Sequence, residues 1–117
     1  MHAHNNLQLA FANTIEAIIM GANRVDATMG GLGRGAGNCP MELLLGFLRN
    51  PKFHLRPVYE LLQEHIAPLR HKYDWGALPP YNITGQLNRH PNTAIKFLEG
   101  EDRRNYLRFF DETVRDC

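Results

Sequence analysis

His2-Ala3-His4-Asn5-Asn6 and, further along, Gly30-Gly31-Leu32-Gly33-Arg34-Gly35-Ala36-Gly37-Asn38 are the two most informative runs of this chain. In extended backbone, residues two apart share a face, so His2 and His4 can offer two imidazole nitrogens to one point, which is half of a metal site. A His-x-His pair alone is a weak signal, because neighbouring histidines more often sit in a loop or at a helix start. Its context strengthens it. A helix-like segment follows Asn6, then a short β-like run Arg24-Val25-Asp26-Ala27-Thr28, then the glycine loop and a second helix-like segment. Strand end, helix, strand, loop, helix is the order of a parallel α/β fold.

Working outward, Leu7, Ala10, Phe11, Ile15, Ile18 and Ile19 recur at intervals of three and four and predict a one-sided helix over 7–20. Asn5 or Asn6 suits its start, and Gly21 its left-handed end. Pro40 fits the first turn of a next helix, with Asn38 or Cys39 as cap and Glu42 near the positive end of the helix dipole. Met41, Leu44, Leu45 and Leu48 then form a stripe that Asn50-Pro51 stops. Further on, Val58, Leu61, Leu62, Ile66 and Leu69 follow Pro57, and Pro68 should kink or end their helix. Pro91 opens a helix to about Glu99, and a last helix carries Tyr106, Leu107, Phe110 and Val114 on one side. The second half therefore reads as helical, and the division is 1–50 for the strand-helix units and 51–117 for the helical segment.

The glycine loop allows another reading. Gly31-x-Gly33-x-x-Ala36 loosely fits a dinucleotide fingerprint between strand and helix, but no acidic residue stands at the end of a second strand to take the ribose. A flexible surface turn is the plain alternative. Asp26, on the polar side of the strand candidate, could face a site or hold a structural partner.

The run His2-Ala3-His4-Asn5-Asn6, with Ala12-Asn13, Gly21-Ala22, Val25-Asp26-Ala27-Thr28, Gly31-Leu32-Gly33 and Gly35-Ala36-Gly37-Asn38, resembles the metal-dependent aldolase and lyase superfamily. That superfamily includes 4-hydroxy-2-oxovalerate aldolase, hydroxymethylglutaryl-CoA lyase, and the isopropylmalate and citramalate synthases. The resemblance covers the first forty to fifty residues. It implies an α/β protein, a C-terminal fragment of a (β/α)8 TIM barrel holding the last barrel units, followed by a helical C-terminal segment and mostly α by content. A complete barrel needs roughly 250 residues, so the N-terminal barrel half, with the first strand, is expected to be missing from these 117.

The resemblance also implies the chemistry. A divalent cation withdraws charge from a 2-oxo acid as an enolate develops. His2 and His4 match the superfamily's two histidine ligands, Asn38 matches an asparagine that approaches the metal in the lyase branch, and the aspartate ligand has no counterpart here. Mixed nitrogen and oxygen ligation suits Mn2+ first, then Mg2+, Co2+ or Zn2+. Gly33, Gly35 and Gly37 belong to a mobile loop at the mouth of the site. The aldolase branch brings a tyrosine from its C-terminal helices, for which Tyr81 is the candidate, packing against Trp75 being the plainer role. In the lyase branch a functional cysteine precedes the asparagine; Cys39 follows it, which counts against hydroxymethylglutaryl-CoA cleavage and suggests a half-buried cap residue. His90, before Pro91, reads as a cap or surface residue.

The expected activity of the intact protein is cleavage of a 4-hydroxy-2-oxo acid to pyruvate and an aldehyde, the fragment alone being inactive. Two alternatives stand beside it: condensation of an acyl-CoA with a 2-oxo acid, as in the synthases, and a non-catalytic helical interaction module. A homo-oligomer is expected. In aldolases of this kind the helical segment contacts an aldehyde dehydrogenase, which the resemblance raises as a partner. Thirteen basic against twelve acidic residues give a net charge of +1, and so no electrostatic case for nucleic acid or an anionic membrane. Two cysteines, Cys39 and Cys117, are too few for a disulfide framework, and with no membrane-length apolar run or signal peptide the default expectation is cytoplasmic.

Overall fold

The fold is described from a computed structural model, for residues 1–116; Cys117, and with it any pairing of that residue, lies outside the described residues. Seven α-helices follow one another among these residues: α1 (Ala10–Ile19), α2 (Met41–Leu48), α3 (Leu55–Leu61), α4 (Ala67–Lys72), α5 (Pro79–Gln86), α6 (Asn92–Glu99) and α7 (Tyr106–Arg115). A 3-10 turn, Met29–Gly31, precedes α2, and a π-helical turn, Leu62–Ile66, joins α3 to α4. The chain is thus mostly α, as expected by content.

No strand forms among the described residues, so Arg24 to Thr28 is not the strand that its alternation predicts. The reason is pairing: a strand exists through its neighbours. What remains is three extended segments lying side by side. The Met1 amino group donates to the Arg24 carbonyl at 2.8 Å and the Asp26 amide to the Met1 carbonyl at 2.9 Å. This slanted pair of bonds is the pattern of parallel pairing, one residue deep. On the other side, Thr28 bridges Pro40 in parallel and His4 bridges Asn38 antiparallel.

α1 is shorter than the predicted 7–20. Its first amide, Ala10, is bound by the Asn5 Oδ1 at 3.1 Å, the expected asparagine acting from five residues back. Gly21, at φ +94°, ends it, with Ala22 donating to the Ala17 carbonyl. Ala10 and Thr14 face inward with Phe11, Ile15 and Ile18 at the margin, while Leu7 and Ile19 stay exposed. Pro40 is itself the N-cap of α2, displacing Asn38 and Cys39 from that role. Pro68 neither ends nor breaks its helix. The backbone widens to a π turn ahead of it, with the Ala67 amide reaching back to the Leu62 carbonyl, and the chain continues as α4.

Two apolar clusters result. Ala3, Ala10, Cys39 and Leu44 form one; Ala36, Tyr81, Ala94, Leu98 and Phe109 form the other, under α5, α6 and α7. The predicted face of α7 is turned. Phe109 and Thr113 are buried, whereas Leu107, Phe110 and Val114 are exposed. Burying Thr113 is inexpensive because its hydroxyl donates to the Phe109 carbonyl at 2.6 Å.

The molecule is a plate, 50 × 35 × 16 Å, with a radius of gyration of 15.9 Å. A compact domain of this length would have about 13 Å. No helix among the described residues is long and apolar enough to cross a membrane.

Candidate functional site

The candidate site is assembled where the first extended segment meets the glycine loop. The antiparallel bridge sets His4 opposite Asn38, and the Asn5 amide donates to the Gly37 carbonyl at 2.9 Å. His2 and His4 lie edge to face with ring centroids 5.0 Å apart, both exposed. Three residues from two distant parts of the sequence therefore come together at one edge. No group of three His, Cys, Asp or Glu side chains converges on a cation position among the described residues.

Asp26 has a role that its alternation left open. Its carboxylate lies 3.2 Å from the His2 Nδ1, so it favours the tautomer with the proton on Nδ1 and leaves Nε2 as the ring's acceptor. Asn38 is equally oriented. Its Nδ2 donates to the Leu32 carbonyl at 3.1 Å, which reserves Oδ1 as the amide's acceptor end.

The glycines make this seat possible. A Cβ on Gly33 would overlap the Asn38 amide, and one on Gly37, at φ +83°, would overlap the Gly31 carbonyl oxygen. Hydrogen bonds from outside the loop clasp its first residue. Glu42 Oε2 accepts from the Gly30 amide at 3.0 Å, and the Gly30 carbonyl accepts from the Trp75 indole at 3.0 Å and from Arg70 at 3.1 Å. Arg70 also covers the Trp75 ring, 4.7 Å from its centroid. Residues 35–39 are all buried.

Tyr81 stands apart from the histidine edge, in the second core cluster and only 3% exposed. Yet Gly35 is seated against its ring, and Tyr81 lines, with Trp75, Gly33, Arg34, Gly35 and Asp74, a cleft of about 290 Å³. Burial, then Asp74 and Glu99, push its phenol above the ordinary range, so it stays protonated and can donate. Cys39 is fully buried, not half-buried, in the first cluster. Its burial raises the thiol pKa, opposed by a Thr14 hydrogen bond and reinforced by Glu42, which makes it a poor nucleophile. His90 binds the Asn92 amide through Nδ1 at 3.3 Å, the cap role expected.

Sequence reading missed Arg34 and Arg70, and gave Glu42 only its place at the helix dipole. Arg70 and Glu42 act on loop backbone, for which no side-chain pattern exists. For Arg34 the signal was a lone cation flanked by glycines.

The chain is similar to several known aldolases and to a decarboxylase. A 4-hydroxy-2-oxovalerate aldolase of Thermus thermophilus is 42% identical over 74 residues, 60% of this chain and 21% of that protein. 4-Hydroxy-2-oxovalerate aldolase 2 of Dechloromonas aromatica is 59% identical over 44 residues, 38% of this chain and 13% of its own. An oxaloacetate decarboxylase of Mycobacterium tuberculosis is 51% identical over 57 residues, 49% of this chain and 17% of its own. The chain thus spans about a fifth or less of the length of these relatives. A crystal structure described as the N-terminal domain of a protein assigned as an aldolase, from Bacteroides vulgatus, superposes with a TM-score of 0.74 at 33% identity, over 99% of this chain and 37% of that one. Among protein families, HMGL-like matches residues 1–64, which takes in the paired histidines, the glycine loop and Asn38 together. On that match, over more than half of its length, the chain belongs to the HMGL-like family of the aldolase and lyase superfamily.

Proposed function

We propose that the protein is a divalent-metal-dependent aldolase that cleaves a 4-hydroxy-2-oxo acid to pyruvate and an aldehyde. Residues 1–50 would be strand-helix units of a TIM barrel completed by chain outside these residues, and 51–117 its helical segment. The observation carrying this reading is the His2, His4 and Asn38 edge, where Asp26 and Leu32 have already fixed the orientation of two of the three side chains.

The donor set fits a divalent cation. The imidazoles of His2 and His4 and the Oδ1 of Asn38 would hold it, Mn2+ being favoured by mixed nitrogen and oxygen donors. When bound, the ion supplies Lewis-acid withdrawal of charge from the 2-oxo group. Asp26, engaging the His2 Nδ1, leaves Nε2 as the nitrogen that would face the ion. The glycine loop carries Asn38 and Arg34 on neighbouring turns, and Tyr81, which lines the cleft and stays protonated, would donate to a substrate oxygen that reaches it.

The relatives' names support the same bond scission. Aldol cleavage of a 4-hydroxy-2-oxo acid and decarboxylation of oxaloacetate both break the C3–C4 bond of a 2-oxo acid and leave the enolate of pyruvate. Decarboxylation is accordingly the second reading, favoured by the relative that bears that name.

The test is made in the full-length protein. His2→Ala and His4→Ala should each lower bound Mn2+, measured by elemental analysis, and lower pyruvate release at least a hundredfold. Full metal content and unchanged pyruvate release in both variants would remove the proposal.

A further inference from the structure

Arg34 is the one cation lining the cleft between the glycine loop and the Trp75–Tyr81 segment. It makes no side-chain hydrogen bond and no ion pair among the described residues, whereas Arg56, Arg103 and Arg108 each meet a carboxylate. The one acid lining the same cleft among the described residues, Asp74, is paired with Arg103. A guanidinium held between two glycines, facing a cleft whose own carboxylate is already neutralised, is a receptor for an anionic oxygen group. The same loop carries Asn38: Gly33, the residue before Arg34, is packed against the Asn38 amide, and Asn38 is bridged to His4. The guanidinium therefore belongs to the residue next to one that touches the amide assigned to the 2-oxo acid end of a substrate.

Resting on the aldolase reading, we infer that Arg34 binds a second, distal carboxylate, so that the favoured substrate is a 2-oxo dicarboxylic acid rather than a 2-oxo acid with a neutral tail. A carboxylate fits better than a phosphate. The cleft offers a single guanidinium, whose planar fork matches two coplanar oxygens and whose one positive charge balances a monoanion but not a dianion.

The experiment compares two five-carbon acids that have no 4-hydroxyl to cleave, 2-oxoglutarate and 2-oxopentanoate, by titration calorimetry on full-length protein with Mn2+ present. Wild type should bind 2-oxoglutarate at least tenfold more tightly. Arg34→Ala should abolish that preference while leaving 2-oxopentanoate affinity unchanged, and Arg34→Lys should keep part of it; circular dichroism confirms that the variants are folded. Equal binding of the two acids by wild type, or a preference that survives in Arg34→Ala, overturns the inference and leaves the aldolase reading standing. Binding of neither acid by wild type overturns both.

Discussion

Gly33 and Gly37 are needed for different reasons, and the two substitutions separate them. Alanine at Gly37 meets both a positive φ and the rigid Gly31 carbonyl, so Gly37→Ala should cost on the order of 3 kcal/mol in chemical denaturation. Alanine at Gly33 meets the end of a side chain with no φ penalty. Gly33→Ala should cost less than about 1 kcal/mol but displace the Asn38 amide, lowering Mn2+ affinity; equal stability losses in the two variants would refute this. Cys39 gives a pH dependence. Its native pKa lies above the unfolded value of 9.0, chiefly because it is buried, so the native state holds the proton longer. The stabilisation is complete below pH 9 and declines as pH rises through the unfolded and then the native value. Stability measured from pH 8 to 11 should fall less steeply in Cys39→Ala. At this scale the His-x-His spacing was visible without a fold and Asn38 only through the family resemblance, while the bridge that sets His4 opposite Asn38 took the structure to see. Asp26 was not decidable, because its partner depends on which segment lies beside it.

Among the elements, buried threonines explain where periodicity misled. Thr14, Thr84 and Thr113 each donate to a carbonyl three or four residues back, at 2.7, 3.1 and 2.6 Å, and so enter the core without an unsatisfied hydroxyl. Counting only apolar residues leaves both sides of α7 equally attractive, and Thr113 marks the buried one. The strand candidate failed for a complementary reason, since alternation describes a strand's faces but not its neighbours. The glycine loop and the 55–72 helical run were each legible, but their joint was not. Trp75 and Arg70 donate to the same Gly30 carbonyl, so either can hold it when the other is lost. Trp75→Phe and Arg70→Gln should each cost about 1 kcal/mol, and the double variant more than the sum. Strict additivity in a denaturation cycle would show that the clasp is not shared.

The molecule as a whole is one layer too thin for its apolar content. A helix or sheet must bury its apolar face against another element, and a plate 16 Å deep cannot cover both of its sides. Ile19, Met20 and Phe47, on α1 and α2 or next to them, are 70%, 78% and 59% exposed, and Leu107 on α7 is 71% exposed. A net charge of +1 provides little repulsion between copies. The 117-residue chain by itself should therefore associate in a concentration-dependent way. Because contact between apolar faces drives this, ammonium sulfate should strengthen the association, whereas an assembly held by ion pairs would loosen as added salt screens it. Ile19→Glu with Met20→Glu places charge on the exposed face at two side chains that belong to neither core cluster, and should shift light scattering toward monomer while far-ultraviolet circular dichroism stays the same. A wild-type chain that remains monomeric at about 100 µM, with its helix content intact, would mean that these faces are tolerated in water. Association that is unchanged in the double glutamate variant would place the contact elsewhere, with the exposed stripe of α7, Leu107, Phe110 and Val114, the next face to charge.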